Sequence, residues 1–303
     1  MNDEIEVRVP GSPKRFHLNC WSVSGLESCV TVRVDDSVRY AFDIGHATRA
    51  SIMCDHVFVT HGHIDHCGAL PKHVSQRELR SRPPSTYYCP PDIEESLLTI
   101  CQGFAAMNEG YINKPLSPSR KSVASPVGQD IPLSHGRVAR PFRTYHRVAS
   151  QGYLIYAHTR TRITEYMHLS GPEIGEYMAQ GIQVWENKHL PEIAYTGDTT
   201  FDTFLDPDNA DLLRSSILIT EATYIDDRQP AEKARQRGHI HLQDIAKNAE
   251  LFRHIGALVL VHLSDRYTSG QAQHWVRRLL PQWLLNKTWV PMLMKDMEGG
   301  YTY

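Results

Sequence analysis

THGHIDHCGAL, residues 60–70, is the densest run of potential metal ligands in this 303-residue chain. His61 and His63 are two positions apart, so they project to the same side of an extended loop and can chelate one ion. Asp65 and His66 are adjacent, so they diverge and can serve a second ion. One zinc ion takes about three or four ligands from protein, so further ligands must come from distant segments.

The pattern is HxHxDH and not HExxH, in which two histidines lie on one face of a helix. A histidine-rich surface loop is the simplest alternative, and it is the preferred interpretation of an isolated HxH. The complete HxHxDH follows a predicted strand and contains Gly62 and Gly68, which let the backbone fold closely around the ligands. This combination favours metal binding.

Composition excludes several classes of protein. Hydrophobic residues make up 41% and charged residues 22% of the chain, ordinary values for a globular protein. No apolar run approaches the ~18–20 residues of a membrane span, and MNDEIEVRVPGS does not resemble a secretory signal. Six cysteines never form CxxC, which argues against a zinc ribbon and is typical of reduced intracellular thiols. We therefore expect a cytoplasmic, nuclear or organellar protein without membrane association.

Charge alone does not identify a partner. The formal net charge of −2 gives no sign of a nucleic-acid partner, although a local basic patch can hide inside a neutral total. Seventeen histidines are the one unusual feature, and histidine is the commonest metal ligand. The positions of the histidines must therefore decide which of them have a function.

Short β-branched runs alternate with helical patterns, which indicates an α/β fold. The expected strands are 40–44, 56–60, 153–156, 193–196, 216–220 and 257–261. Two amphipathic patterns predict helices at 92–107, with Asp92 as the N-cap, and at 241–254. The apolar stripe of the first helix, expected to face the core, is Ile93, Leu97, Leu98, Ile100, Phe104 and Ala105. The Pro/Ser-rich 115–126 and the polar 157–170 are expected to be loops or insertions.

Polar side chains follow four of the expected strands. The 56–60 strand leads into HGHIDH, and the next three such strands lead to Asp198, Glu221 and His262. Ligands of α/β folds gather at the carboxyl ends of strands, so we expect these residues to lie together. His146, just before the 153–156 strand, is a weaker candidate that would be taken as structural by itself.

From residue 40 to residue 267 the chain resembles the metallo-β-lactamase superfamily, and within it the short-form ribonuclease Z (tRNase Z) endonucleases. HGHIDH matches the superfamily signature, which lactamases, glyoxalase II, lactonases and nucleases share. The narrower resemblance, strongest to eukaryotic short forms, rests on AFDIG (41–45), HCGALP (66–71), YHRVASQGY (145–153), YTGDTT (195–200), EATYIDD (221–227), GHIHLQDIA (238–246) and HLSDRY (262–267).

The resemblance implies a four-layer αβ/βα sandwich with a dinuclear metal site at one edge, formed by residues 1–303 as a single domain. It also implies a homodimer. A short variant arm is expected at about 157–190, where GPEIGEYMAQG replaces the lysine motif with which bacterial relatives grip tRNA. Arg160, Arg162 and Lys188 are its few cations, which leaves the arm little positive charge with which to grip tRNA.

The same resemblance implies two Zn²⁺ per chain, with Mn²⁺ as an alternative metal. One ion would be held by His61, His63, His146 and Asp198. The other would be held by Asp65, His66, His262 and the same Asp198, which would bridge the two ions.

Such a site suits phosphodiester hydrolysis. Two zinc ions bring four positive charges and two aspartates return two, so the site attracts an anionic phosphodiester. A water between the ions has its pKa lowered toward ~7 and becomes the nucleophile, and the metals stabilise charge on the phosphorane oxygens. Asp65 is expected to orient that water or to accept its proton.

The departing 3′-oxygen needs a proton from another group. The resemblance assigns this role to His239, with Glu221 holding its imidazole in one tautomer and raising its pKa. Without the resemblance, Glu221 is a charge at a strand end and His239 is a cap of the 241–254 helix. Expected substrate contacts are Arg266, which lies in a matched motif, and Thr199.

Three interpretations of function are open. The favoured one is a zinc-dependent endoribonuclease that removes 3′ trailers from precursor tRNA and leaves a 3′-hydroxyl. The alternative is a small-molecule hydrolase of the same fold, acting on a lactone, thioester or cyclic phosphodiester. That alternative gives no reason for Glu221 and His239, because thiolate and carboxylate leaving groups need little protonation. A catalytically idle scaffold is disfavoured, because every expected ligand is present.

Overall fold

The computed structural model describes residues 4–35, 37–107 and 122–292, and its strands form two mixed sheets. The first sheet contains β1 Glu4–Arg8, β2 Arg15–Ser24, β3 Glu27–Val34, β4 Val38–Phe42, β5 His56–Phe58, β6 Thr86–Cys89, β7 Ser122–Ala124 and β14 Leu263–Ser264. The strands β1 to β7 follow in sequence order, antiparallel up to β4 and parallel from there. The short β14 pairs with β2 in parallel and so connects the last part of the chain to this sheet.

The second sheet has the order β15-β13-β12-β11-β10-β9-β8. Its strands are β8 Ile131–Leu133, β9 Arg137–Arg143, β10 Gln151–Arg162, β11 Trp185–Tyr195, β12 Ile217–Glu221, β13 Ala257–Val261 and β15 Thr288–Trp289. The strands β8 to β11 are antiparallel, whereas β11, β12, β13 and β15 are parallel. The carboxyl ends of the parallel strands therefore meet at one edge.

Helices cover the outer faces of both sheets. The α-helices are α1 Arg49–Ile52, α2 Ile64–Cys67, α3 Leu70–Leu79, α4 Glu94–Met107, α5 Gly171–Ala179, α6 Ala231–Gln236, α7 Leu242–Lys247, α8 Ser269–Leu279 and α9 Gln282–Leu285. The 3₁₀ helices are Pro91–Ile93, Thr164–Tyr166, Phe201–Phe204, Pro207–Arg214 and Ala249–His254.

The core consists of three apolar layers. A central layer joins the two sheets through side chains such as Phe42, Phe58, Tyr153 and Ile219. One outer layer packs α3 and α4 on the first sheet, and the other packs α7, α8 and α9 on the second. This arrangement of helix, sheet, sheet and helix confirms the predicted four-layer sandwich.

The six expected strands are present, but two of them are much longer than the sequence indicates. The strand β10 extends to Arg162, so the prediction of a loop over 157–170 is wrong for its first six residues. These residues pair with β11, with His158 opposite His189 and Arg162 opposite Trp185. Many side chains in this part of the hairpin are partly or fully exposed, so the sequence lacks the alternation of a half-buried strand.

The tip of this hairpin carries a small apolar cluster of its own. The helix α5 and the 3₁₀ turn Thr164–Tyr166 pack around Leu169, Ile174 and Val184. The expected arm at 157–190 thus corresponds to the outer halves of β10 and β11 together with this cluster.

Both predicted helices differ from expectation. The first begins at Glu94, and Asp92 lies within the preceding 3₁₀ turn and does not cap it. Of its predicted core stripe, Ile100 and Phe104 are 47% and 52% exposed, because α4 buries a narrower face. The 241–254 helix is interrupted at Asn248, where α7 ends and a 3₁₀ helix continues.

Three further expectations concern loops, thiols and membranes. Of the loop expected at 115–126, residues 115–121 lie outside the described residues, and Ser122–Ala124 is a strand. All six cysteines are free and buried, as expected of reduced thiols. Within the described residues, no helix has the length and apolar character needed to cross a membrane.

Candidate active site

The polar strand-end residues converge at one edge of the sandwich. After β5 the chain stays extended through His61, which forms a bridge to Ser150, and then turns into α2 at His63. Asp65 and His66 lie on α2, and not on an extended loop. Asp198 follows β11 and His262 follows β13, so parallel pairing brings their loops to the same edge.

The first predicted ligand set is assembled in the structure. One ligand atom from each of His61, His63, His146 and Asp198 lies within 4.8 Å of all the others. The Nδ1 atom of His63 is 2.9 Å from Nε2 of His61 and 3.3 Å from Nε2 of His146. Such spacing places three nitrogens and a carboxylate around one small volume.

The second predicted set is assembled beside it. Ligand atoms of Asp65, His66 and His262 lie within 4.8 Å of one another, with the two Nε2 atoms 3.2 Å apart. Asp198 lies between the sets, with Oδ2 3.9 Å from Nε2 of His61 and Oδ1 3.3 Å from Nε2 of His66. Its Oδ1 is buried and accepts no hydrogen bond from any described residue, which suits a bridging cation ligand.

In four of the candidate ligand histidines, the ring nitrogen that faces away from the cluster contacts an oxygen atom. The Nδ1 atoms of His61 and His262 face the hydroxyls of Thr60 and Thr223 at 3.0 and 3.2 Å. Nδ1 of His66 is 2.8 Å from Oδ2 of Asp43, and Nδ1 of His146 is 2.8 Å from the carbonyl oxygen of Gly238. Outer partners of this kind fix the ring orientation of metal-binding histidines.

Gly238 is required by this arrangement. Its φ of +81° lies in the left-handed region, and a Cβ atom would come within 2.7 Å of Nδ1 of His146. A side chain here would displace the imidazole from the cluster.

Asp43 is a buried support that the sequence analysis did not single out. It accepts hydrogen bonds from the backbone N–H of Thr60 at 2.8 Å and from the hydroxyl of Tyr195 at 2.9 Å, in addition to its contact with His66. Its charge inside the predicted apolar strand 40–44, in AFDIG, was the available signal; in the structure it lies just beyond β4. Its partners are 17 to 152 residues away in sequence, so that signal did not reveal its role.

The charged groups of the cluster shift one another's pKa. Burial raises the pKa of Asp198, but the charges of His262 and His66 outweigh it and hold the pKa well below its usual range. Burial lowers the pKa of His61, and the neighbouring charge of His66 lowers it further. The anionic Asp198 and neutral His61 are thus in the forms that bind metal. Burial lowers the pKa of His66, but the charges of Asp198 and Asp43 outweigh burial and raise it well above its usual range, so His66 must lose a proton when metal binds.

Glu221 and His239 form a pair beside the cluster. Nδ1 of His239 is 3.0 Å from Oε1 of Glu221 and 3.9 Å from Oδ2 of Asp198. Burial lowers the pKa of His239, but the charge of Glu221 and its hydrogen bond outweigh burial and raise the pKa to about 9. The cap of α7 is His241, whose Nδ1 accepts a hydrogen bond from the backbone of Gln243, so His239 does not have that role.

Thr223 connects this pair to the cluster, which the sequence did not indicate. Its hydroxyl donates to Oε2 of Glu221 and lies 3.3 Å from Nδ1 of His239 and 3.2 Å from Nδ1 of His262. One buried hydroxyl thus touches the acid–base pair and a candidate metal ligand.

The two expected substrate contacts differ in position. Thr199 is fully buried; its backbone N–H donates to Glu221, and its hydroxyl accepts from the backbone of Tyr145. This position does not support direct contact with substrate, because the hydroxyl is enclosed and already bonded; Thr199 supports Glu221 instead. Arg266 is exposed and lies over the ring of Tyr224 at 5.3 Å.

Comparisons with known proteins agree with this geometry. A family model described as the beta-lactamase superfamily domain matches residues 45–263. A chloroplastic tRNase Z of Arabidopsis thaliana is 36% identical over 258 residues, which cover 85% of this chain and 70% of the relative. A second tRNase Z of the same plant is 34% identical over 281 residues, which cover 93% of this chain and 95% of the relative.

A nuclear ribonuclease Z of Triticum aestivum is 31% identical over 163 residues, 54% of this chain and 88% of the relative. Among solved structures, human tRNase Z, short form, has a TM-score of 0.58 at 18% identity, covering 91% of this chain and 95% of that one. A metallo-beta-lactamase fold protein from Bacillus subtilis has a TM-score of 0.57 at 14% identity, covering 93% and 98%. At these identities the two structures bear on the fold alone.

Proposed function

The chain belongs to the tRNase Z family of the beta-lactamase superfamily, and we propose that it is an endoribonuclease that removes 3′ trailers from precursor tRNA. The observation that carries this proposal is the Glu221–His239 pair, placed beside the seven predicted metal ligands, with His239 itself within reach of Asp198 and His262. A cluster that binds two cations suits a phosphodiester, and the pair supplies the proton that an alkoxide leaving group needs.

We assign two zinc ions to the cluster. His61, His63 and His146 would hold one, Asp65, His66 and His262 the other, and Asp198 would bridge them. The fit is supported by converging ligand atoms, imidazoles tied from behind and an unpaired buried Oδ1 on Asp198. When bound, the ions would lower the pKa of water and neutralise phosphate charge. The histidine-rich donor set favours zinc, with manganese as the alternative.

Asp65 and His239 would handle the two protons of the reaction. The carboxylate of Asp65 accepts a hydrogen bond from the backbone N–H of Gly25 at 2.9 Å, which fixes it at the cluster. It would orient the attacking water and accept its proton. Since Nδ1 of His239 is held by Glu221, Nε2 would donate to the 3′-oxygen. The bond from phosphorus to that oxygen breaks, and the phosphate stays on the trailer.

The small-molecule alternative lacks a comparable observation. Hydrolysis of a thioester expels a thiolate, which needs little protonation and so gives no role to His239. The exposed guanidinium of Arg266 has no purpose for a neutral lactone or thioester. Wild-type protein should cleave precursor tRNA and leave lactone and thioester panels intact. Hydrolysis of a lactone or thioester with precursor tRNA uncut would overturn the proposal.

Four further features belong to the same proposal. We propose that residues 1–303 form one domain, since a single central apolar layer joins both sheets, and that 157–190 is a short variant arm. We propose a homodimer on family resemblance. We also propose an intracellular location; relatives are named as chloroplastic and as nuclear, and either compartment contains precursor tRNA.

A further inference from the structure

Two arginines flank one tyrosine ring beside His239. The guanidinium carbon of Arg266 lies 5.3 Å from the centre of the Tyr224 ring, and that of Arg237 lies 5.9 Å from it. Nη1 of Arg237 also donates a hydrogen bond to the Tyr224 hydroxyl at 2.8 Å. We refer to Arg237, Tyr224 and Arg266 as the arginine–tyrosine stack.

Neither arginine of the stack is neutralised by a carboxylate within residues 4–35, 37–107 and 122–292. By contrast, the nearby Arg235 is paired with Asp202 at 2.9 Å, and Arg228 is paired with Asp226. Both arginines of the stack are exposed. Two cations beside one tyrosine make this part of the surface positive, so it attracts an anion. Guanidinium groups match the oxygens of phosphate with paired N–H donors.

The stack is fixed to the His239 side of the cluster. The Tyr224 ring packs edge-on against the His239 ring, with centres 6.3 Å apart. The backbone N–H of Leu242 donates to the carbonyl of Tyr224 at 2.8 Å, which joins the two loops. Arg237 precedes His239 by two residues. Any phosphate bound by the stack therefore lies next to the imidazole and not among the metal ligands.

The direction of the reaction then decides which phosphate this is. His239 gives its proton to the 3′-oxygen, and that oxygen belongs to the last nucleotide of the mature tRNA. The strand that leads away from His239 is consequently the strand 5′ of the cleaved bond. The trailer, which keeps the cleaved phosphate, extends in the other direction.

We propose that the arginine–tyrosine stack binds the phosphate immediately 5′ of the cleaved bond, which stays with the mature tRNA. This inference rests on the proposed function and adds two points to it. It assigns Arg237 as a substrate contact, and it gives Arg266 a place on the tRNA side of the cleaved bond and not on the trailer side.

The test pairs protein variants with a change in the substrate. Precursor tRNA is made with one neutral methylphosphonate at the linkage just 5′ of the cleaved bond. Wild-type protein should bind this substrate about 10-fold more weakly than the unmodified one, the worth of one charge-assisted contact. A double variant, Arg237→Gln with Arg266→Gln, should bind unmodified precursor about 10-fold more weakly than wild-type protein does. Its affinity should fall little further when the substrate carries the methylphosphonate. Its affinity should also depend less steeply on salt, because one phosphate contact is lost.

Arg235→Gln is the matched control, because Arg235 is equally exposed, lies two residues away and is paired with Asp202. It should respond to methylphosphonate as the wild type does. Melting temperature and metal content verify folding. If the double variant folds poorly, the same measurements are made on Arg237→Gln and Arg266→Gln separately.

Two results would overturn the inference. One is an equal loss from methylphosphonate in the double variant and the wild type. The other is a loss that follows methylphosphonate on the trailer side and not on the tRNA side. If wild-type protein leaves all precursor uncut, the proposed function is refuted. That result differs from cleavage of precursor with no effect of the arginine variants, which refutes only the role of the arginine–tyrosine stack.

Discussion

Each imidazole tied to an oxygen presents its other nitrogen to the metal cluster. Thr60, Asp43, Thr223 and the Gly238 carbonyl perform this task from behind the ligands. Six of the seven candidate ligands were predictable because they stand in a short motif or at strand ends, whereas His146 was predicted only through the family resemblance. Their supports were not, since residues as common as threonine and glycine acquire this role only through contacts made by the fold.

Asp198→Ala should remove most bound metal, because it deletes the one residue that serves both halves of the cluster. Wild-type protein loaded with zinc should contain about two ions per chain. Elemental analysis of both proteins after dialysis measures this directly. A variant that kept two ions, or a replete wild type with one or none, would be incompatible with a bridged site.

Asp43→Asn tests whether the contact between the Asp43 carboxylate and Nδ1 of His66 contributes to metal binding. Asparagine tolerates the left-handed backbone of position 43, where φ is 58°, so the turn is preserved while the charge is lost. The affinity for zinc should fall by about 10–100-fold. Competition with a chromogenic chelator gives the affinity, and Asp208→Asn, at an exposed aspartate outside the cluster, is the control. Unchanged affinity in Asp43→Asn would show that His66 needs no such support.

Among the larger elements, the β10–β11 hairpin and α4 departed furthest from sequence expectation. The outer half of the hairpin is exposed on much of its surface, and the exposed Ile100 and Phe104 make α4 look more buried in sequence than it is. Hydrophobic periodicity detects elements with one buried face, so it found the interior strands and missed these features. The helix α3 shows the opposite case, a polar residue that is buried.

His73 on α3 makes the stability of the fold depend on pH. Its Nδ1 is 2.7 Å from the Tyr87 hydroxyl and its Nε2 is 3.0 Å from the Ser51 carbonyl, so it joins α3 to α1 and β6. Burial lowers the pKa of His73 to about 4. Above about pH 6.5 both folded and unfolded chains carry it neutral. As the pH falls from about 6.5 to about 4, only the unfolded chain takes up the proton, so stability decreases.

Between about pH 6.5 and pH 4, His73 should therefore lower the free energy of unfolding by up to about 1.4 kcal/mol for each pH unit of acidification. Denaturant titrations of wild type and His73→Gln at pH 7, 6 and 5 measure it. The variant is expected to be less stable at pH 7 but to lose less stability on acidification, because other histidines contribute equally to both proteins. Parallel curves would exclude His73 as the source.

For the molecule as a whole, alternating strands and helices predicted an α/β fold, and the polar strand ends predicted the edge that holds the site. The order of the four layers was predicted from the family resemblance. How the two sheets pair could not be read from the sequence, because β1 and β15 bring residues from opposite ends of the chain into one central layer. The same holds for the joining of residues 221–224 with 239–242, which creates both the acid–base pair and the arginine–tyrosine stack.

A homodimer is the expected assembly. Ile100, Phe104 and Met107 on α4 expose apolar surface that association could cover. Light scattering at micromolar concentration should give twice the chain mass of 34.5 kDa. A mass of one chain under these conditions would contradict the prediction.

Glu221 and His239 should behave as one unit. Neither is one of the seven predicted metal ligands, so His239→Ala, Glu221→Ala and the double variant should retain metal. Glu221→Gln, which keeps an acceptor for the backbone N–H groups of Thr199 and Ile240, separates loss of the charge from disturbance of the site. The double variant should cleave precursor tRNA little more slowly than either single one, because the two side chains serve the same proton transfer.

The central claim, that His239 protonates the departing 3′-oxygen, is tested most directly by comparing two substrates in one variant. His239→Ala should cleave precursor tRNA about 10²–10⁴-fold more slowly than wild type, the usual worth of a general acid. Bis(p-nitrophenyl) phosphate has a leaving group that needs no proton, so its hydrolysis by the same metal-replete variant should be far less affected. An equal loss on both substrates, with metal content unchanged, would contradict the general-acid role.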